Sequence, residues 1–330
     1  MRSPARTAWS AIALSSALLL AGCGTQVDLA KVTHSRTVVP AKVAPRTTQP
    51  TGPARPVEPA FAVEKQRLID PCGLLEQQVL AQFGTPVTSR PSGFADCGNY
   101  MKDGSGKSLS ITVRLGQDML SNEVSKATKK VGGLNASEST SGSSCFVRAV
   151  TQEAPRAMGI TIQVSYEGDG CDVGRRLGES VINKIRTSPP LRTPEKGSLT
   201  VVDPCTSLPQ NTPIEQLGGV PSQSGYGLYQ CNWRRDDTTL GVEFSLDSNP
   251  KDRNYGPKPE ELTLDGVTVY QRKEESYAKT CKLEWLHRDT GGGKGEVVEV
   301  KVDSTKKSDV DLCGKAVASA KALLPKLPKP

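Results

Sequence analysis

Eight cysteines fall into two quartets of nearly equal spacing, and this constrains the fold more than any other feature of the chain. Cys72, Cys97, Cys145 and Cys171 are answered by Cys205, Cys231, Cys281 and Cys313, at offsets of 133, 134, 136 and 142 residues. The flanking residues agree. Asp70-Pro71-Cys72 has a counterpart in Asp203-Pro204-Cys205, and Cys97-Gly98-Asn99-Tyr100 in Cys231-Asn232-Trp233. One unit therefore occurs twice, with small loop insertions. Even cysteine numbers at such spacings suit disulfides in an oxidising compartment. At 330 residues the chain has room for two such domains, each with its own core.

Within each unit the hydrophobic pattern alternates. Leu109, Ile111, Val113 and Leu115 are separated by Ser110, Thr112 and Arg114, and Leu240, Val242, Phe244 and Leu246 by Gly241, Glu243 and Ser245. Period two with polar partners marks strands that bury one face, as in an antiparallel sheet covered on one side. Ile160, Ile162, Val164 and Tyr166 repeat the pattern later in unit one, and Val298, Val300 and Val302 in unit two. Helix signals flank the strands. Asp70 as N-cap and Pro71 at the first helical position open a predicted helix with Leu75, Val79 and Phe83 on one face, ended by Gly84. Val173, Leu177, Val181 and Ile185 predict another after Cys171, and Val317, Ala320 and Leu324 a last one over 313–324. In unit two, Pro209 and Pro213 limit the opening helix to about a turn. The expected architecture is α+β: two similar modules, each a helix or turn, a meander of about five strands and a closing helix, with two disulfides.

The ninth cysteine stands apart. Arg2 and Arg6 precede an apolar run from Ala11 to Leu20, which leads into Ala21-Gly22-Cys23. A basic start, a short apolar stretch and small residues before the cut form a secretory signal, and the run falls short of the roughly 20 residues of a spanning helix. The ending resembles a bacterial lipobox, which implies acylation of Cys23 and cleavage between Gly22 and Cys23. Acyl chains contribute about 0.8 kcal/mol per buried methylene, enough for two or three chains to hold a protein on a membrane. The expected location is the outer face of the cell membrane. From Gly24 to about Lys65, prolines at 40, 45, 50, 53, 56 and 59 predict a disordered, extended stalk. Its Lys31, Arg36, Lys42, Arg46 and Arg55 form a solvated linker, with attraction to anionic lipid heads or wall polymers as the alternative.

The lipobox, the Pro-rich stalk, the Asp-Pro-Cys starts and a second cysteine followed by an aromatic residue together resemble the actinobacterial Asp-Pro-Cys lipoproteins, a family of unknown function. The resemblance covers Cys23 and two modules. Tyr100 lies three places after its cysteine and Trp233 two after, and Pro209 interrupts the second opening helix, so those elements depart from the pattern. The layout is also similar to extracellular sensor modules of mycobacterial receptor kinases, which implies ligand sensing at the level of fold analogy alone. The expected boundaries are 1–22 signal, 23–65 linker, 66–187 first module, 188–199 linker, 200–325 second module and 326–330 tail. Three pairings per unit are open to the cysteines, and neighbours are the expected choice: Cys72 with Cys97, Cys145 with Cys171, Cys205 with Cys231, Cys281 with Cys313.

No catalytic constellation is visible. The histidines are His34, in the stalk, and His287, beside Trp285 on a strand. Gly104-Ser105-Gly106-Lys107-Ser108 lacks the first glycine of a phosphate loop, because position 101 is Met101, and reads as a hairpin turn. Glu167 to Asp172 lacks the ligand spacing of a calcium loop and reads as a polar turn. No Cys-x-x-Cys or clustered histidine completes a metal site, so no cofactor or metal is expected. The charge falls from +7 to +5 when Arg2 and Arg6 leave with the signal, and no aromatic-interleaved basic patch suggests nucleic acid.

Two functional classes remain. One is a non-catalytic binding or sensor module whose partner is an envelope protein or wall polymer. The other is an enzyme acting on wall polymer through carboxylates such as Asp236 and Asp237 or Glu260 and Glu261. Adjacent carboxylates on a strand point to opposite faces, which disfavours the enzyme. The candidate binding residues are Tyr226 and Tyr229, in the Gly225 to Tyr229 loop, with Tyr255 nearby. Glycines around a tyrosine suggest a mobile contact on a rigid scaffold.

Overall fold

The computed structural model describes residues 57–153, 156–253, 256–275, 278–305 and 310–330. Gly22, Cys23, His34, the basic stalk residues and Tyr255 lie outside them. Among the described residues, no helix is long and apolar enough to cross a membrane.

The two modules share one strand plan. The first holds β1 (Arg90–Pro91), β2 (Asp96–Lys102), β3 (Ser108–Asp118), β4 (Lys129–Val131), β5 (Leu134–Ser141), β6 (Ser144–Gln152) and β7 (Met158–Tyr166). The second holds β8 (Ser222–Gly225), β9 (Gln230–Arg235), β10 (Thr238–Asp247), β11 (Glu260–Leu264), β12 (Val267–Glu275), β13 (Lys279–Gly291) and β14 (Lys294–Ser304). The sheets run β1-β2-β3-β7-β6-β5-β4 and β8-β9-β10-β14-β13-β12-β11, each seven-stranded, so the order is the same in both. All pairings are antiparallel. The sheet has seven strands rather than five, and it is not a simple meander: the last strand returns to pair with the third, β7 with β3 and β14 with β10.

The alternating strands bury the predicted face. Leu109, Ile111, Val113 and Leu115 are buried while Ser110, Thr112 and Arg114 are half-exposed, and Leu240, Val242 and Phe244 repeat this in β10. Seven α-helices accompany the strands among the described residues: α1 (Val63–Arg67), α2 (Gln77–Leu80), α3 (Ser121–Ser125), α4 (Gly170–Thr187), α5 (Pro204–Ser207), α6 (Asn211–Leu217) and α7 (Leu312–Leu323). Asp169 starts α4 by accepting from the Asp172 N–H at 2.9 Å. The helix then lays Val173, Leu177, Val181 and Ile185 on the sheet. Gly174 lets it come close, since a Cβ there would sit 2.8 Å from Val147. In α7 the buried stripe is Leu312, Ala316, Ala320 and Leu323, one position earlier than Val317 and Leu324 would give.

The opening segments differ from the sequence reading. The predicted helix from Asp70 to Phe83 is broken: residues 71–75 form turns, Glu76 is extended, and only α2 is helical. Gly73 explains part of this, being a weak helix former whose Cβ would lie 2.6 Å from Pro190, a residue of the linker packed against it. Asp70 and Asp203 nevertheless act alike, accepting from the Cys72 and Cys205 N–H groups at 2.9 and 2.8 Å. In module two, α5 is the expected single turn. A further helix, α6, follows it because Pro213 falls in the first turn, where its missing N–H costs nothing.

Packing extends beyond the expected boundaries. Phe61 is buried in the first module's core and Leu327 lies at the edge of the second's. The linker is pinned: Asp70 N–H donates to Pro190 at 2.8 Å, Arg192 N–H to Leu68 at 2.8 Å, and Ile69 bridges Leu191.

Four disulfides join neighbours as expected: Cys72–Cys97, Cys145–Cys171, Cys205–Cys231 and Cys281–Cys313. Each ties a helix or turn to a strand on the covered face, and none crosses between modules. Replacing Cys145 and Cys171 together by Ser should cost about 3 kcal/mol in the chain-entropy model. Guanidinium unfolding measures the loss, and mass mapping of the intact protein should return the four pairs with no free thiol among these eight.

Candidate functional site

The Gly225 to Tyr229 loop, between β8 and β9, is a clasp rather than a mobile contact. Gly227 donates its N–H to Asp118 Oδ1 at 3.0 Å and accepts at its carbonyl from Arg156 Nη2 at 2.7 Å. Asp118 and Arg156 also pair with each other, at 3.6 Å. Burial raises the Asp118 carboxyl above its ordinary range, opposed by the Gly227 N–H and Arg156. Leu228 is buried against Gly116, where a Cβ would lie 2.4 Å from the leucine side chain. The Leu228 carbonyl accepts from Arg67 Nε at 3.1 Å, and Arg67 pairs with Asp203 at 3.0 Å. The second module thus inserts this loop into the first.

Tyr229 corrects the sequence reading most directly. It is buried, with its ring centroid 5.0 Å from that of Phe94 and its hydroxyl donating to the Thr200 carbonyl at 2.7 Å. Burial pushes its pKa up to about 12. It is a core residue of the junction whose small exposed edge forms part of the wall of the cleft described next. Tyr226 differs. It is 57% exposed and stands on the rim of a cleft of about 530 Å3 at the junction.

Both modules line that cleft. Asp96, Arg114 and Gln117 come from the first, and Gln230, Glu243 and Asp247 from the second. Asp96 faces Arg114 at 3.6 Å, and its carboxyl is raised by burial against the opposing pull of that arginine. Glu243 is raised by burial and then by Glu299, directly opposite on β14. A second cavity of about 440 Å3 shares Gly93, Phe94, Leu246 and Lys294 with the first, so the two form one groove along the junction. Lys294 lines both and makes no ion pair among the described residues. It follows the hairpin tip Gly291-Gly292-Gly293, whose φ values are 81°, 63° and 78°.

The other candidates take structural places. Asp236 and Asp237 form the two-residue turn between β9 and β10, with Asp236 at φ 51°, and Glu260 and Glu261 are exposed on edge strand β11. Neither pair lines the junction groove. His287 is half-buried, its Nε2 2.9 Å from the Gly197 carbonyl, with its pKa lowered chiefly by burial. Trp233 and Trp285 are core residues, whereas Tyr100 is exposed. Residues 103–107 turn between β2 and β3, where hydrogen bonds from Tyr166 and Ser105 hold Asp103 at about 2. Asp169 caps α4, as a polar turn would. Among the described residues, no group of three or more His, Cys, Asp or Glu could hold a metal ion.

Sequence reasoning missed Arg67, Asp118, Arg156 and Lys294. The repeat marks only the loops they meet: Phe94 and Leu228 each stand three residues before a matched cysteine, Cys97 and Cys231.

No family model matches this chain, and no curated protein matches it. Among solved structures, the crystal structure of DynU16, a protein in the dynemicin biosynthetic locus, is similar at 13% identity over 82% of this chain and 92% of that one. Its TM-score is 0.17, too low to support any statement about this chain.

Leu228→Ala should destabilise the protein by about 2–5 kcal/mol, the range for emptying a buried leucine site. Tyr226→Ala should stay within about 0.5 kcal/mol, as exposed substitutions do. Denaturant unfolding of the two variants checks the contrast.

Proposed function

We propose that this is a lipid-anchored envelope protein without catalytic activity, which binds a partner in the groove between its modules. We read the shared strand order and cysteine spacing as an internal duplication. One observation carries the binding reading: the groove is built from both modules and fixed by the Leu228 clasp. Ligand sites favour such interfaces, where rigid walls converge with a few placed polar groups. Tyr226 and Lys294 supply an exposed aromatic and an unpaired cation there, two residue properties suited to contact. The anchoring reading rests on Leu20-Ala21-Gly22-Cys23.

A carboxylate enzyme remains the alternative because Asp96 and Glu243 both line the groove with pKa values raised by burial. Against it, Asp96 is matched by Arg114 at 3.6 Å, and Glu243 sits on the sheet beside Glu299. Neither arrangement resembles an acid and base poised around a substrate bond.

Cys23→Ala should yield an exported protein released from the membrane fraction; retention at the wild-type level would refute the anchor. Full-length protein should be retained on wall fragments or envelope extract. Tyr226→Ala and Lys294→Glu should each weaken that retention at unchanged melting temperature. Undiminished retention by both would remove the groove from the function. Hydrolysis of wall polymer by the wild type, abolished in Glu243→Gln, would establish the enzyme instead.

A further inference from the structure

The open face of the first sheet carries a groove of about 1080 Å3 that shares no lining residue with the junction groove. Tyr100, Ser108, Ser110 and Ser165 line it, with Lys102, Lys107 and Glu167 at the hairpin end, and the strand registers order the face around it. Tyr100, Ser110, Ser165 and Ser144 form one row across β2, β3, β7 and β6, and Gly98, Thr112, Gln163 and Phe146 form the next. None of these side chains is charged at neutral pH. In the second sheet, aligned by the matching pairs Cys97 with Val113 and Cys231 with Val242, the row equivalent to Thr112, Gln163 and Phe146 is Gly241, Lys301 and Lys282. The uncharged row therefore belongs to the first module alone.

Tyr100 is built as a platform. It is 65% exposed, the most exposed aromatic side chain among the large exposed hydrophobics. Its ring leans along the strand over Gly98, with Cε2 3.6 Å from where a Gly98 Cβ would stand. Beside it, Val87 is held against β2 by the fully buried Asn99, whose amide donates to the Val87 carbonyl at 2.7 Å. Ser144 and Ser165 share a hydrogen bond at 2.7 Å, which orders the serine row. Within the groove's lining the charges lie at the hairpin end, where Lys107 and Glu167 approach to 3.8 Å and Lys102 makes no ion pair among the described residues; Arg114 and Arg148 stand on the same face beyond the groove, Arg148 paired with Glu123 at 3.1 Å.

We propose that this groove binds an uncharged glycan chain, with the Tyr100 ring as stacking platform and the Ser108, Ser110 and Ser165 hydroxyls as hydrogen-bond partners. Each serine hydroxyl both donates and accepts, which matches the dual character of sugar hydroxyls. An exposed tyrosine offers a rigid amphipathic surface that loses little entropy on contact, suited to the C–H face of a pyranose. The lining's two cations, Lys102 and Lys107, sit together at one end, with Glu167 opposite Lys107, and do not run along the trough as a polyanion would need. A shallow trough across strands also lets a polymer pass through, as sheet faces of other folds do with oligosaccharides.

The test uses full-length protein and short neutral oligosaccharides from glucan, mannan and galactan, screened immobilised and then titrated by calorimetry. At least one should bind. Tyr100→Ala should weaken it by about tenfold or more, the scale of losing an aromatic anchor, with the melting temperature unchanged. Tyr100→Trp should retain binding, and Ser110→Arg should block it by filling the floor. Tyr226→Ala should have no effect, which separates this site from the junction groove. Failure of every neutral oligosaccharide to bind, binding confined to carboxylated or sulfated probes, or binding undiminished in both Tyr100→Ala and Ser110→Arg would each overturn the proposal.

Discussion

The junction around Leu228 is the constraint on which the rest of the described structure depends. Two one-sided sheets meet through the same element used twice, the loop before the second cysteine of each quartet. The equivalence is visible in the backbone: Leu115 N–H donates to the Ala95 carbonyl at 3.0 Å in the first module, and Phe244 N–H to the Tyr229 carbonyl at 2.9 Å in the second. The symmetry is then broken by side chains. Where the first module has Ala95 the second has Tyr229, whose ring fills the space against Phe94 and whose hydroxyl reaches Thr200. Gly116 is the permissive partner. Its φ of 56° and missing Cβ are both needed for Leu228 to seat.

Divergence is also written on the open faces. The row Arg114, Thr161 and Arg148 in the first sheet corresponds to Glu243, Glu299 and Glu284 in the second, a reversal of charge on the same scaffold. The acidic row is managed internally. Glu284 is buried between Arg253 and Arg272, and Lys282 pairs with Glu299 at 3.0 Å. Arg272 also donates to the Pro250 and Pro257 carbonyls, at 3.0 and 2.9 Å, which pulls that segment onto the sheet. Losing one partner of such a buried set leaves a charge unpaired at a cost of about 3–5 kcal/mol. Part of the second open face is therefore roofed by its own chain. The first keeps its Tyr100 end clear, with the Glu123–Arg148 pair at 3.1 Å drawing α3 over the other end.

Much of the fold was legible in the sequence, and the reasons are local. Period-two alternation located β3, β7, β10 and β14, and the four-residue stripe located α4, because those elements bury one face and little else competes. The repeat narrowed the disulfides to three pairings per unit, and the neighbour pairing expected among these is the one formed. What failed was decided by distant packing. Glu76 breaks the first helix next to a linker that packs on Gly73, and Phe61 belongs to the core although its neighbours read as stalk. The Gly225 to Tyr229 loop misled for a related reason. Glycines beside tyrosines look mobile in isolation, yet here they admit the close backbone approach of Asp118 and Arg156 from 71 to 109 residues away. Tyr100 was visible as an aromatic after a cysteine, but its setting required the register that places Ser110 and Ser165 in its row.

The cysteines explain why such divergence is tolerated. Cys97, Cys145, Cys231 and Cys281 all point to the covered face, where they meet Cys72, Cys171, Cys205 and Cys313 from the flanking turns and helices. Cross-links of about 25 residues contribute roughly 3–4 kcal/mol each by restricting the unfolded chain, whatever stands on the opposite face. Stability is thus concentrated on one side of each sheet. The other side can carry arginine or glutamate, serine or aspartate, at small cost where the position is half-exposed, as at Glu243, and with buried arginine partners where it is not, as at Glu284. Two modules built this way share a core plan while the second carries an acidic, partly self-covered face and the first a face that is open and uncharged around Ser110 and Ser165.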